Sequence, residues 1–377
     1  MPICQSCVYN QCTAWSEGKL AMKKLGAAVL VVLGLLTILF LKRVDIVLGL
    51  YAAGIERGIN TTKIATLEDG LHIALCGAGG PMPSVSRSGP CVAVVAGNKL
   101  FLVDTGANGV RNLGRMGYDP GTISGVFLTH FHSDHIDGLG EVATLRWAAG
   151  NHSTPLPVYG PEGVSVVVDG FNTAYSHDFI YRHDHHGDSV TPLSGKGMQA
   201  VSFAVADQNQ SSIVYNKDGL RVEMFAVNHF PIDPAVAYLF SYKGRTALIS
   251  GDTTKIASVE KFANDVDLLV HEALAAHMLK AMNRGATEAG HGPRAKIFDD
   301  VLNYHATPVE VAQIARTANV GHLLYYHIVP PLDLPGSEAV WLQGVNRVFK
   351  RYTLGRDGTS FSLPANSNEI IHTEMGL

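Results

Sequence analysis

The sequence is short of charge. Only 16% of its 377 residues are Asp, Glu, Lys or Arg, and 33 acidic against 29 basic side chains leave a net charge of −4. Phosphate backbones are held largely by Lys and Arg, so this balance predicts no nucleic-acid partner. Cysteine is scarce as well, with five in the chain, which excludes a small disulfide-stapled scaffold. Cys4, Cys7 and Cys12 precede the first apolar run. Cys4 and Cys7 have CxxC spacing, but no second pair or His follows at finger-like distance, so a zinc site there is unsupported. Cys76 and Cys91 lie in apolar, strand-like stretches and read as two buried thiols rather than a disulfide. No Gly-x-Ser-x-Gly elbow occurs, which leaves a serine hydrolase without support. Nor is there a Cys- or Ser-x-Pro-x-Arg run, the signature of the formylglycine sulfatases.

What is present describes a compact, loop-rich protein: 46% hydrophobic residues, with 39 Gly and 17 Pro spread along the chain. Residues 25–41 carry no charge and are bracketed by Lys23 and Lys24 before and Lys42 and Arg43 after. As a helix this run spans about 25 Å, near the lower limit for crossing a bilayer. It reads as an uncleaved membrane anchor, with a cleaved signal segment as the alternative. The basic residues on the two sides place the large domain outside the cytoplasm only weakly. The expected division is a tail over 1–24, an anchor or signal over 25–41, a linker over 42–65 and one domain over 66–377. The domain would be membrane-anchored and extracytoplasmic, periplasmic in a Gram-negative cell, or secreted if the segment is cleaved.

From about residue 66, β-rich runs alternate with helical ones. Residues 71–76, 92–96, 100–103, 125–128, 222–227, 236–242, 247–249, 268–270 and 323–326 read as strands. Helices are predicted over 137–149 and 308–318. The second has Thr307 as N-cap, Pro308 in its first turn and Glu310 to complete a capping box. This pattern is that of an α/β protein whose sheets are covered by helices.

Histidine is the exception to the chain's restraint, with 17 residues. The densest group is Thr129-His130-Phe131-His132-Ser133-Asp134-His135. After an apolar strand, His130 and His132 at i and i+2 can face one side of an extended segment, while Asp134 and His135 serve a second centre as the chain turns helical. A core histidine is usually alone, so packing does not account for the cluster. His177, His183, Asp184, His185 and His186 form a second His-rich stretch that suits a pocket wall or a solvated loop equally. Gly77-Ala78-Gly79-Gly80 is followed by Pro81 and Pro83, which prevent a phosphate-binding helix, so a tight loop near the cleft is expected. Arg347, Lys350, Arg351 and Arg356 read as the wet face of a helix and the turn after it.

The HxHxDH run, preceded by a strand ending in Asp104-Thr105-Gly106, resembles the metallo-β-lactamase superfamily. Val227-Asn228-His229, Ser250-Gly251-Asp252-Thr253, Val270-His271-Glu272-Ala273, His305-Ala306-Thr307-Pro308 and Tyr326-His327-Ile328 follow in the order of its ribonuclease Z and zinc-dependent arylsulfatase branch. The resemblance covers roughly residues 70 to 360. It implies a four-layer αββα sandwich with two Zn2+ ions, Mn2+ or Fe being alternatives. His130, His132 and His229 would hold one ion and Asp134, His135 and His327 the other, with Asp252 bridging. Two such ions can hold a bridging hydroxide at neutral pH. Asp104 would orient the site from behind. His305 would donate a proton to the leaving group with Glu272 as its partner, and Asp134, His305 and Glu272 form the implied catalytic set.

Within the branch the resemblance divides. Ribonucleases of this type carry a protruding arm between the residues matching His229 and Asp252, whereas residues 230–251 here suffice only for two strands and a hairpin. Arg87-Ser88-Gly89-Pro90, Tyr159-Gly160-Pro161, the run from Tyr326 to Pro330 and Gly355-Arg356-Asp357-Gly358 look closer to the arylsulfatase-like subgroup. The expectation is therefore a dinuclear zinc hydrolase of a small sulfate or phosphate ester, with no nucleic acid and with a homodimer left open. The alternative is a ribonuclease Z-like phosphodiesterase. A lactonase is less favoured, and so is a diiron redox protein, for which no flavin domain is present.

Overall fold

The computed structural model describes residues 6–60, 62–205 and 209–377. It divides into two units, Met1–Thr61 and Thr62–Leu377. The first is one helix, Ser6–Asn60. The residues expected as a linker after position 41 continue it, because nothing in 42–60 breaks a helix and Lys42 pairs with Asp45 at 3.2 Å along its surface. Ala21–Gly58 is long and apolar enough to cross a membrane by length and composition. Cys4, and the side chains of Cys7 and Cys12, lie outside the described residues.

The second unit is built on two sheets. Its strands are β1 (Gly70–Gly77), β2 (Cys91–Ala96), β3 (Lys99–Val103), β4 (Ile123–Phe127), β5 (Leu156–Pro161), β6 (Met198–Phe203), β7 (Ser211–Lys217) and β8 (Leu220–Ala226). They continue as β9 (Val236–Tyr242), β10 (Arg245–Ile249), β11 (Leu268–Leu274), β12 (His322–Val329), β13 (Tyr352–Leu354), β14 (Thr359–Pro364) and β15 (Ile371–Glu374). One sheet runs β15-β14-β1-β2-β3-β4-β5-β6 and the other β13-β12-β11-β10-β9-β8-β7. Strand periodicity then explains the layers. Leu71, Ile73 and Leu75 of β1 meet Tyr238, Phe240, Ile249, Val270 and Tyr326 in the core between the sheets. Ala74 and Cys76 face the opposite way, onto Leu113 and Leu139 of the helical layer. Leu248, Leu269 and Leu323 likewise face Val311, Ile314 and Trp341 on the far side. Both sheets are covered on both faces, giving the expected αββα sandwich.

The unforeseen strands are those without an apolar run. β6, β7, β13 and β15 are half or wholly exposed, β5 begins and ends on prolines or their neighbours, and β14 alternates its buried Phe361 and Leu363 with Ser360 and Ser362. The helix expected over 137–149 is present as Leu139–Gly150, with a separate helical turn, Ser133–Ile136, before it. Gly138 donates to Thr105 O at 2.7 Å, and a Cβ there would lie 2.7 Å from the same oxygen, so the chain must kink to dock. The helix Pro308–Thr317 has its capping box in place, with Thr307 Oγ1 accepting from Glu310 N.

One expectation is corrected. Cys76 and Cys91 are not free thiols; they form a disulfide with Cα atoms 5.0 Å apart. The two strands pair antiparallel, and a bulge between Leu75 and Gly77 brings Gly77 opposite Cys91. That shift places the two sulfurs on one face, within reach of each other.

Candidate metal centre

The site lies where the C-terminal ends of β4, β10, β11 and β12 open into loops, as ligand sites in α/β sheets generally do. Asp104, just after β3, adopts a left-handed φ of 58°. Its Oδ1 accepts from Thr129 N at 2.9 Å and its Oδ2 from Thr129 Oγ1 at 2.8 Å. Oδ2 also lies 2.8 Å from His135 Nδ1, and Thr129 Oγ1 lies 3.1 Å from His130 Nδ1. His229 Nδ1 donates to Tyr304 O at 2.9 Å. Each contact fixes one ring nitrogen outward and turns Nε2 inward. Gly251 permits the turn before Asp252: at φ 58° its Cβ would meet Val236 O at 2.7 Å.

The inward atoms fall into two groups, His130, His132, His229 and Asp252, and Asp134, His135 and His327, each gathered within 4.8 Å. Asp252 joins them. Its Oδ2 lies 3.8 Å from Nε2 of both His130 and His229, 3.4 Å from His135 Nε2 and 3.3 Å from His327 Nε2. Asp134 Oδ2 stands 3.3 Å from His327 Nε2. His135 Nε2 and Asp252 Oδ1 are buried without a hydrogen-bond partner. Imidazole and carboxylate atoms converging in this way, two of them buried and unpaired, fit a pair of divalent cations.

Without cations the charges divide unevenly. Burial pushes His130 well below its ordinary pKa and His229 down to about 4, Asp252 opposing in both cases. Burial acts on His327 in the same direction, but Asp252 and the ring's hydrogen bond to Asp134 Oδ2 outweigh it and raise the ring to about 8. His135, pressed by Asp252, Asp104 and Asp134 against its own burial, is held well above the usual range. Asp252 stays well below the carboxylate range, because His327, His135 and His130 outweigh its burial.

His305 Nδ1 comes within 3.2 Å of Glu272 Oε1, short of a directed hydrogen bond. That oxygen accepts from Thr253 N at 3.2 Å and Ala306 N at 3.1 Å. Glu272 thus ties the loop after Asp252 to the residue after His305, a clamp the resemblance alone did not reveal.

Two cavities adjoin the cluster. A polar one of about 650 Å³ is lined by Gly80 to Gly89, Arg115, Arg356, Asp134 and Asp137. A smaller one of about 300 Å³ reaches Asp252, His305 and His327. The Gly77–Gly80 loop lies at this cleft as expected, held by Asp357, which accepts from Ala78 N at 2.9 Å and Ser88 N at 2.8 Å. Asp357 and Tyr304 were not singled out as site residues, since their contacts span the fold or use backbone atoms. The second His-rich stretch joins neither ligand group. It forms the helix Ser176–His186, in which His183 bonds Thr191 O at 2.9 Å. Arg356 pairs with Glu338 at 2.7 Å, and Arg351 donates to Val320 O.

Residues 100–328 match the model of a beta-lactamase superfamily domain. The chain belongs to the metallo-β-lactamase superfamily. It is 31% identical to ribonuclease Z of Mycolicibacterium gilvum over 273 residues, covering 72% of this chain and 88% of that one. To ribonuclease Z of Mycobacterium avium it is 30% identical, covering 76% and 96%. Among solved structures, human tRNase Z, short form, superposes with a TM-score of 0.56 at 20% identity over 78% of this chain and 99% of that one. A metallo-beta-lactamase fold protein from Bacillus subtilis gives 0.54 at 19% identity, covering 78% and 100%. These two support the fold.

The expected partners are thereby corrected. A small ester substrate and the exclusion of nucleic acid conflict with relatives named for acting on RNA. Net charge averages the whole surface and carries no information about one local site, where Arg115 and Arg356 line the larger cavity beside Asp134.

Proposed function

We propose that the chain is a metal-dependent phosphodiesterase of the ribonuclease Z kind, cleaving RNA at a dinuclear zinc centre. The observation that carries this reading is the pair of ligand groups meeting on Asp252 Oδ2, in a chain that spans most of ribonuclease Z at 31% identity. His130, His132 and His229 would hold one ion and Asp134, His135 and His327 the other, with Asp252 shared. When bound, the ions activate water and withdraw charge from the phosphoryl oxygens. Asp104 keeps the His135 ring turned inward. His305 lines the smaller cavity with the carboxylate of Glu272 beside it, placed to carry a proton to the leaving oxygen.

The β9–β10 hairpin leaves no protruding arm, so RNA would be gripped close to the centre. The polar cavity shares Asp134 with the ligand groups and offers Arg115 and Arg356 for adjoining phosphates. The apolar helix is proposed as a membrane anchor that holds the domain outside the cytosol. The buried Cys76–Cys91 disulfide supports a compartment in which disulfides persist.

The test is cleavage of end-labelled RNAs by the full chain saturated with zinc: a precursor tRNA, an unstructured strand and a duplex. Metal-dependent cleavage that disappears in Asp252→Ala is expected. Hydrolysis of bis(4-nitrophenyl) phosphate with every RNA left intact would overturn the RNA assignment while keeping the phosphodiesterase.

A further inference from the structure

The smaller cavity has two unlike ends. One is the polar cluster itself, at His132, Asp134, Asp252, His305 and His327. The other is apolar, formed by Met82, Leu274, Leu279, Phe298, Val301 and Val329. Its roof is the segment between β11 and His305, the helices Ala276–Glu288 and Gly292–Asp300 and the turn Val301–Asn303. These side chains pack as a separate small core, with Met82 and Phe298 half-buried against Leu274, Leu279 and Val329. Tyr304 stands at the junction of the two ends. Its ring lies edge-on to His229, with centroids 4.7 Å apart, and 4.8 Å from the ring of His305.

An RNA strand consists of phosphate, ribose and base, and only the base has an apolar face. A phosphodiester seated at the cluster leaves the roofed end facing a neighbouring nucleotide, and no phosphate or sugar hydroxyl finds a partner among Met, Leu, Val and Phe. Ligand pockets range from about 300 to 1,000 Å³, so a cavity of about 300 Å³ accommodates a single base-sized group and no duplex. We infer that this pocket is a nucleobase subsite in which one unpaired base beside the scissile phosphate is held against Phe298 and Tyr304. The inference rests on the RNA reading above and adds to it a specificity element: the nucleotide at the cut must be unpaired so that its base can turn in. Stacking of a base on an aromatic side chain strengthens binding by about tenfold or more.

Equilibrium binding separates the subsite from catalysis. Calorimetry on the full zinc-loaded chain would compare adenosine 5′-monophosphate and adenosine 3′-monophosphate with ribose 5-phosphate and hexyl phosphate. At least one adenylate should bind about tenfold more tightly than ribose 5-phosphate and than hexyl phosphate. Phe298→Ala should remove that advantage and leave ribose 5-phosphate binding unchanged, whereas Phe298→Trp, which keeps a flat face, should retain it. Val301→Trp, which fills the pocket from its wall, should also abolish the advantage at unaltered zinc content. Equal binding of adenylates and ribose 5-phosphate would overturn the subsite, and so would hexyl phosphate binding as tightly as adenylate. Failure of the RNA reading looks different: the adenylate preference would persist while RNA remained uncut.

Discussion

Asp104 Oδ2 lies 2.8 Å from His135 Nδ1, with both side chains wholly buried. The same carboxylate takes both donors of Thr129, so it sets the whole HxHxDH turn rather than one ring. Asp104→Ala should weaken metal affinity by about 10- to 100-fold, chiefly at the group formed by Asp134, His135 and His327. A titration against a competing chelator measures this, and excess zinc should restore part of the turnover. Unchanged affinity in a folded variant would remove the orienting role.

Metal uptake should release protons near neutral pH. In the metal-free chain His327, raised to about 8, still holds a proton at pH 7 that a cation must displace, and His135 is shifted in the same direction. Calorimetry in buffers of different ionisation enthalpy should report that release, falling off above pH 8. The sign for stability is opposite. The attraction between protonated His327 and Asp252 stabilises the metal-free fold fully below the ordinary histidine value of 6.5 and is lost as pH rises through about 8. The melting temperature of the metal-free chain should therefore drop across that window, and zinc should abolish the drop.

Much of this centre was legible because its chemistry is local. His130, His132, Asp134 and His135 share one turn, and His229, Asp252 and His327 each sit where an apolar strand ends. What escaped depended on contacts across the fold. The Cys76–Cys91 pairing needs a strand register and a bulge that no composition encodes. Asp357 reaches Ala78 and Ser88 from the far end of the chain. Tyr304 contributes through its carbonyl, which any residue possesses. A global charge balance, like the absence of an arm between His229 and Asp252, carries no information about the chemistry of one local cavity. The helical roof over residues 276–303 was invisible for a related reason: its short apolar face covers a cavity instead of joining the main core.

The disulfide should be a measurable part of the domain's stability. It closes a loop over a sequence separation of 15, and cross-linking a loop of that size stabilises by about 3 kcal/mol. Cys76→Ser combined with Cys91→Ser should lower the urea midpoint accordingly and raise the KM for RNA, because the loop so pinned lines both cavities. Native chain that alkylates fully at Cys76 and Cys91 without reductant would show the bond to be absent.

His305 and Glu272 should separate by their dependence on the leaving group. A proton donor matters most when the departing oxygen is strongly basic, so His305→Ala should slow cleavage of RNA by about 10²- to 10⁴-fold. A nitrophenyl diester, whose leaving group needs no proton, should be slowed much less. Glu272→Gln keeps an oxygen able to accept from Thr253 N and Ala306 N but removes the negative charge beside His305. It should therefore reproduce the same leaving-group pattern at nearly normal zinc content and melting temperature. Glu272→Ala removes the clamp as well, and should add a loss on the nitrophenyl diester as the loop after Asp252 loosens. Equal losses on both substrates for His305→Ala would take the proton from His305 and leave it a wall of the pocket. A Glu272→Gln chain indistinguishable from the parent would reduce Glu272 to the backbone clamp alone.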